Sequence, residues 1–492
     1  MDKYILAVDQ STQGTKGLIF NKDGMLIARC DRPHQQIINE RGWVEHDPEE
    51  IYRNTIAVVR DVIEKAAVDK EKIIACGISN QRETAVAWDR KTSKPIYNAI
   101  VWQCARGAEI CRRLDRNDFS VRVKNTTGLN LSPYFSAAKL AWIMENVEQA
   151  AQLERSGDLR MGTVDSWLID RLTGGKSFKT DYSNAARTQL FNIISLRWDP
   201  EMCEAFHIHP DCLAEICNSD SDFGKTNFEG CLPHAIPILG VLGDSNGALF
   251  GQGCLHPGMI KATYGTGSSV MLNIGEKPVF SKDVVTSLAW KTGGKVQYVL
   301  EGNINYTGAV ITWMKDDLHL IGSVSEVQSL AKEANPDDAT YLIPAFTGLG
   351  APYWDSKATA TLTGMTRTTG KKEIVKAAEN CIAFQIVDIV RCMQLQSGKL
   401  IKELRADGGP TRDSYLMQFQ SDILGITVRA TDLQEISGMG AAYMAGIKAG
   451  LYDQAKIFEQ IGRSSYESKM TADKREELYS GWEKAISMVL KR

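Results

Sequence analysis

The sequence lacks any run able to span a bilayer: even the apolar stretch from Ile382 to Val390 is broken by Gln385 and Asp388, where a span needs about 18 uncharged residues. No secretory leader is expected either, because the amino-terminal run Tyr4-Ile5-Leu6-Ala7-Val8 meets Asp9 before reaching the length of a signal core. A cytoplasmic protein is expected. Its 11 cysteines include no CxxC pair and are odd in number, so they read as buried thiols in a reducing compartment rather than a disulfide framework. Long runs of one charge are missing too. The 57 basic and 60 acidic side chains nearly cancel, which leaves nothing to attract a nucleic-acid backbone or an anionic membrane surface. Metal-ligand patterns are scarce: His207, His209 and Cys212 lie close together but have no second ligand pair, and they read as structural residues.

What is present is an ordinary globular composition, 43% hydrophobic and 24% charged over 492 residues, with glycine and proline dispersed. One core rarely serves such a length, so two domains of roughly 250 residues are expected, with a small-molecule site in the cleft between them. Near the amino terminus the pattern predicts strand 4–9, a loop over 10–16, strand 17–21, a turn at 22–24 and strand 25–29, an antiparallel meander. A similar design returns at 259–262, through Thr263-Tyr264-Gly265-Thr266-Gly267-Ser268-Ser269, and out along 270–274. The two passages read as a degenerate internal repeat. Helical spacing marks 48–67, 135–146, 374–394 and 437–450, and strands are expected at 72–79, 84–88 and 296–300. The fold class is therefore mixed α/β. Gly438, Ala442 and Gly446 give the last helix a four-residue spacing of small side chains, which reads as close packing or as a wall of a nucleotide pocket.

Chemistry concentrates in the first turn, Asp9-Gln10-Ser11-Thr12-Gln13-Gly14-Thr15-Lys16. Backbone N–H groups of a tight turn make an anion-binding concavity, hydroxyls donate to phosphate oxygens, and a carboxylate such as Asp9 can hold a magnesium ion. The turn is not a Walker sequence, and alone it also fits a plain polar hairpin. Its pairing with Gly265-Thr266-Gly267 is the specific signal, because two such hairpins facing across a cleft can grip a polyphosphate from both sides.

The segment Tyr134-Phe135-Ser136-Ala137-Ala138-Lys139-Leu140-Ala141-Trp142-Ile143-Met144-Glu145-Asn146 fits the first signature of the FGGY family of carbohydrate kinases. The chain resembles that family over nearly its whole length. In local wording it is most similar to the glycerol kinase branch, at Asn80-Gln81-Arg82-Glu83-Thr84, at 95–103, at Leu172-Thr173-Gly174-Gly175-Lys176 and at 346–354. The resemblance implies two ribonuclease-H-like domains of the actin and hexokinase type, here 1–248 and 249–492, closing over ATP, Mg2+ and a small polyol or sugar. It further implies that Arg82, Glu83 and Tyr134 bind acceptor hydroxyls and that Asp244 is the general base. Thr12, Gln13, Lys16, Gly265 and Thr266 would take the phosphates; Gly308, Gly409 and Asp413 would line the adenosine region; Asp9 and Asp244 would hold the metal. Family members often form dimers or tetramers, so a homo-oligomer is expected.

The physical chemistry of these residues agrees. Arg82 offers fixed donors and Glu83 accepts, so the pair can read a vicinal diol in both directions. A hydroxyl is a weak nucleophile at neutral pH, and a carboxylate in reach contributes about 10²–10⁴-fold as base. Departures from the glycerol kinase pattern bear on the acceptor. Ser245 replaces the glutamine that follows the catalytic aspartate and contacts substrate, and Ser269 replaces a phenylalanine wall. Asp413 stands where asparagine is usual, Ala105-Arg106 reduces an arginine pair, and Glu379 occupies an apolar position of the second signature. The two serines predict an acceptor longer and more polar than glycerol, such as a tetritol or a pentulose of the xylulose type. The rival from another class is a non-catalytic actin-like ATP-binding module.

Overall fold

The structure, a computed structural model, describes residues 2–490. Strands β1 (Tyr4–Gln10), β2 (Gly14–Phe20) and β3 (Leu26–Pro33) form the expected meander. The loop expected over 10–16 is shorter, because the ladder continues through the pairs Gln10 with Thr15 and Asp9 with Lys16. Only residues 11–13 turn, closed by Ser11 N–H donating to the Gly14 carbonyl at 2.9 Å. Helix α1 (Pro48–Ala66) starts on Asp47, whose side chain accepts from Glu49 N–H, and carries Pro48 in its first turn. Its apolar face, including Ile51, Val59 and Val62, is buried over β2 and β3. Strand β4 (Ile73–Asn80) joins β1 in parallel, the strand Ala85–Asp89 belongs to a separate small sheet, and helix α2 (Ser136–Asn146) packs against it. Strands β5 (Lys225–Thr226) and β6 (Ile236–Gly243) complete the first sheet in the order β5-β6-β4-β1-β2-β3.

Helix α3 (Asp244–Gly251) leaves the end of β6 directly. The second sheet follows with β7 (Ile260–Tyr264), β8 (Ser268–Gly275), β9 (Val285–Thr292), β10 (Lys295–Ile304), β11 (Glu403–Gly408), β12 (Thr427–Ala430) and β13 (Ser464–Tyr466). Its order is β9-β10-β8-β7-β11-β12-β13. In both sheets a hairpin strand, β1 or β7, sits beside its antiparallel partner on one side and a parallel strand on the other. The repeat read from the sequence is thus a repeat of architecture, in keeping with the two-domain arrangement of the actin and hexokinase type that the resemblance implies. Helix α4 (Lys371–Ser397) buries Ile382, Val387 and Met393 in the core of the second sheet, and α5 (Ser414–Leu424) packs beside it.

Helix α6 (Ile436–Lys448) comes from the second half of the chain but covers β1, β4 and β6 of the first sheet and crosses α3. The crossing is close because a Cβ on Gly440 would lie 1.9 Å from the Gly247 carbonyl oxygen. The small-residue spacing is therefore packing: Gly438 lies against Leu18 and Asp9, and Gly446 against the Tyr452 ring. The boundary expected between residues 248 and 249 falls inside α3. Helix α6 reaches back across this junction and packs on α3.

Candidate active site

The two hairpin turns open on one cleft of about 760 Å3. Thr12 and Gln13 line one side, and Gly265 and Thr266 line the other. The first turn is braced from the acceptor side by Trp102, whose indole N–H donates to Thr12 Oγ1 at 2.9 Å. The second is braced from behind, where Gly308 N–H donates to the Gly265 carbonyl at 2.9 Å and Ala309 N–H to that of Thr266 at 3.1 Å. Gly308 supports the turn in this way and does not line the cleft.

Arg82, Glu83, Tyr134, Asp244 and Ser245 line the same cleft, together with Ser269. Asp244 is the first residue of α3, and its side chain is 36% exposed. Its Oδ1 accepts from Ser245 N–H at 2.6 Å, lies 3.3 Å from Ser245 Oγ and 3.4 Å from Arg82 Nε. Oδ2 has no partner among the described residues, so one oxygen is oriented and the other is available. Arg82 passes directly over Gly243, where a Cβ would sit 2.6 Å from its Cγ and Cδ. Any larger residue there would displace the guanidinium.

Arg82 is buried and needs a counter-ion, which the second sheet supplies. Glu301 on β10 accepts from Arg82 Nη1 at 2.9 Å and Nη2 at 2.7 Å, and from Arg187 Nη1 at 3.0 Å. Arg187 Nε in turn donates to Glu83 Oε1 at 2.5 Å. Burial pushes the Glu301 carboxyl upward, but the Arg187 and Arg82 guanidinium groups outweigh it and hold it well below the usual carboxylate range. Removing one member of such a buried network leaves an uncompensated charge and costs about 3–5 kcal/mol. Glu83 adopts φ 61°, a left-handed conformation uncommon for a side-chain-bearing residue, and its carbonyl accepts from Ser136 Oγ at 3.0 Å. Tyr134 stands edge-on to Trp102 with ring centroids 5.4 Å apart. Its loop is tied down by fully buried Lys139, whose ammonium donates to the carbonyls of Pro133, Tyr134 and Phe135 at 2.7, 2.5 and 3.0 Å.

Asp9 sits at the end of β1 with Oδ1 buried and without a hydrogen-bond partner. Burial raises its carboxyl to about 6, against the lowering effect of Lys16, and Glu435 and Asp244 raise it further. Lys16 itself is outside the cleft lining. Its ammonium lies 2.5 Å from Glu435 Oε2 and 3.8 Å from Asp9 Oδ2, so its charge is spent on those carboxylates. No group of three or more His, Cys, Asp or Glu side chains with metal-site geometry occurs among the described residues. The unsatisfied Asp9 oxygen and the free Asp244 oxygen nevertheless suit magnesium, which is commonly held by one or two carboxylates plus water and substrate phosphates.

Gly409 follows β11 at an exposed turn, where a Cβ would meet nothing within 4 Å, leaving room for a flat group. Asp413 caps α5, with Oδ1 accepting from Tyr415 N–H at 2.8 Å and Leu416 N–H at 3.1 Å. Its unusual identity has a neighbour to match. Burial and the adjacent Asp413 push the Glu379 carboxyl up to about 10, so Glu379 carries a proton that Asp413 can accept. Two departures more than thirty residues apart in the sequence thus meet in space.

The sequence alone does not mark Arg187, Glu301, Trp102 or Lys139 as site residues. Trp102 and Lys139 lie in stretches that carry the family likeness, so that likeness is a signal for them. Arg187 and Glu301 have no motif and act through partners 104 and 219 residues away.

Residues 4–251 match the N-terminal domain, and residues 260–449 the C-terminal domain, of the FGGY family of carbohydrate kinases. Glycerol kinase 1 of Thermotoga maritima is 48% identical over 490 residues, covering 99% of both chains. A glycerol kinase of Caldanaerobacter subterraneus is 44% identical over 495 residues, covering 100% of this chain and 99% of its own. The crystal structure of Plasmodium falciparum glycerol kinase with ADP superposes with a TM-score of 0.94 at 35% identity, covering 99% of this chain and 98% of its own. The chain belongs to the FGGY family of carbohydrate kinases, phosphotransferases with an alcohol group as acceptor.

Proposed function

We propose that the protein transfers the γ-phosphoryl group of ATP to a hydroxyl of a four- or five-carbon polyol or ketose, with Asp244 as general base. The observation that carries this reading is the position of Asp244: it lies in one cleft with both phosphate-type hairpins and with the Arg82–Glu83 pair. The acceptor hydroxyl gives its proton to Asp244 as its oxygen bonds to the γ-phosphorus; the bond to the β–γ bridging oxygen breaks, and ADP leaves. Thr12, Gln13, Gly265 and Thr266 position the phosphates, Gly409 leaves space for the base, and Gly308 supports its hairpin. When bound, Mg2+ would be held by Asp9 and Asp244 and would neutralise phosphate charge. The relatives named above are glycerol kinases, which supports a small polyol as the acceptor class.

Its size is argued from Ser245 and Ser269, which both line the cleft. Ser269 Oγ also accepts from the buried Lys261 ammonium at 3.3 Å, so this wall is polar. Initial rates of ADP release on glycerol, erythritol, xylitol, xylulose and ribulose test the point. The expected result is a higher kcat/KM for a four- or five-carbon acceptor than for glycerol; a strong preference for glycerol would refute the wider pocket. The same reading makes the protein a cytoplasmic homo-oligomer, on the strength of the family likeness.

A further inference from the structure

A second cavity, of about 950 Å3, lies away from the kinase cleft, between the segment joining α3 to β7, strands β11 and β12, and residues 453–463. Arg405 and Arg429 are register partners on the parallel strands β11 and β12, so their side chains leave the same face of the sheet. Arg463 enters from the segment before β13. Arg405 Nη1 and Arg463 Nη2 converge on one acceptor, the Gln252 carbonyl just beyond α3, at 2.6 and 2.8 Å.

Among the described residues only one carboxylate pairs with these guanidinium groups. Glu403 is divided between two of them, Oε1 with Arg405 Nε at 2.8 Å and Oε2 with Arg429 Nε at 2.9 Å. Asp453 and Glu459 also line the cavity, but among the described residues they form no ion pair with any of the three arginines. Among the described residues Arg463 has no carboxylate partner: its other acceptors are the Ile461 carbonyl at 3.5 Å and Gln252 Oε1 at 3.4 Å, and its Nε is buried without a partner. Burial and the neighbouring Arg405 lower its guanidinium to about 10. A cation in such surroundings is costly unless an anion meets it. The remaining wall includes Phe458 and Leu255, which suits a carbon skeleton beside the charged group.

We infer that Arg405, Arg429 and Arg463 form a binding site for a phosphate group, free or carried on a small metabolite, separate from the kinase cleft. Three guanidinium forks approaching from two strands and a loop suit a tetrahedral dianion better than a planar carboxylate, and charge-assisted forks of this kind are strong. The cavity is also of the size usual for small-molecule sites.

The first test is a crystal of the full-length protein soaked in tungstate, a tetrahedral dianion with a strong anomalous signal. A peak within hydrogen-bond reach of the three guanidinium groups is expected; peaks at the hairpin turns with none here would overturn the site. The second is thermal melting with the cleft filled by MgADP and glycerol, titrating inorganic phosphate and 3-phosphoglycerate separately against chloride at matched ionic strength. A saturable rise with either supports the site, and saturation by the ester alone assigns the carried form. Arg429 is half-exposed, so Arg429→Gln should fold normally while needing about tenfold more ligand, the loss of one charge-assisted contact. No rise with either ligand, or equal titrations for the variant and the unaltered protein, would overturn the inference.

Discussion

Asp9 shows how a single residue can be costly to the fold and suited to the chemistry at once. Its carboxyl is raised from 3.8 to about 6 by burial, so the folded state binds its proton more tightly than the unfolded chain does. The stability this contributes is fully present below about pH 4 and is lost as pH rises through about 6, a difference of about 3 kcal/mol. Asp9→Asn should therefore melt higher than the unaltered protein above pH 6, while its response to Mg2+ weakens by about 10–100-fold. In the unaltered enzyme kcat/KM for MgATP should fall on the acid side near pH 6, and a variant with the same pH profile and magnesium dependence would remove Asp9 from the site. At this scale the sequence was informative where a residue stood inside a recognisable stretch, as Arg82, Glu83 and Asp244 do. It was uninformative for Arg187 and Glu301, whose roles exist only because folding brings two arginines onto one carboxylate. Lys16, whose charge suits phosphate, is met in the folded chain by Glu435, a pairing that its own segment does not announce.

Among the elements, the hairpins and long helices were legible because alternation or helical spacing persists through them. Helix 48–67 is observed as Pro48–Ala66 and strand 72–79 as Ile73–Asn80. The two- and three-residue strands Ile37–Ile38, Val44–His46 and Ala99–Ile100 are too short to show a period. The turn after Asp9 was overextended because Gly14, Thr15 and Lys16 have loop-like composition, yet ladder bonds hold them in β2. Where a helix lands was not legible either: α6 has an apolar, small-residue face that would suit either sheet. Its observed place depends on contact with α3, so Gly440→Val should force the two helices apart, because the new Cβ would lie 1.9 Å from the Gly247 carbonyl. A stability loss of at least about 1–3 kcal/mol is expected. A melting curve unchanged from that of the unaltered protein would contradict the crossing.

At the scale of the whole molecule, the two related sheets are bridged by Arg82, which lines the cleft, and Glu301, which is buried behind it. Arg82 comes from the segment after β4 and Glu301 from β10, so the pair that steadies the acceptor pocket also ties one sheet to the other. Each sheet contributes one turn to the proposed phosphate grip, while Asp244 stands at the start of the helix where the chain passes between them. The repeat in the sequence announced the paired turns; the bridge had to be seen folded. The most direct test of this arrangement is Asp244→Asn, assayed for ADP release on the best acceptor and for ATP binding by calorimetry. Turnover should fall by about 10²–10⁴-fold or more, with ATP affinity within about threefold of the unaltered protein, a difference under 1 kcal/mol. Turnover equal to that of the unaltered enzyme would contradict the assignment of Asp244 as the base.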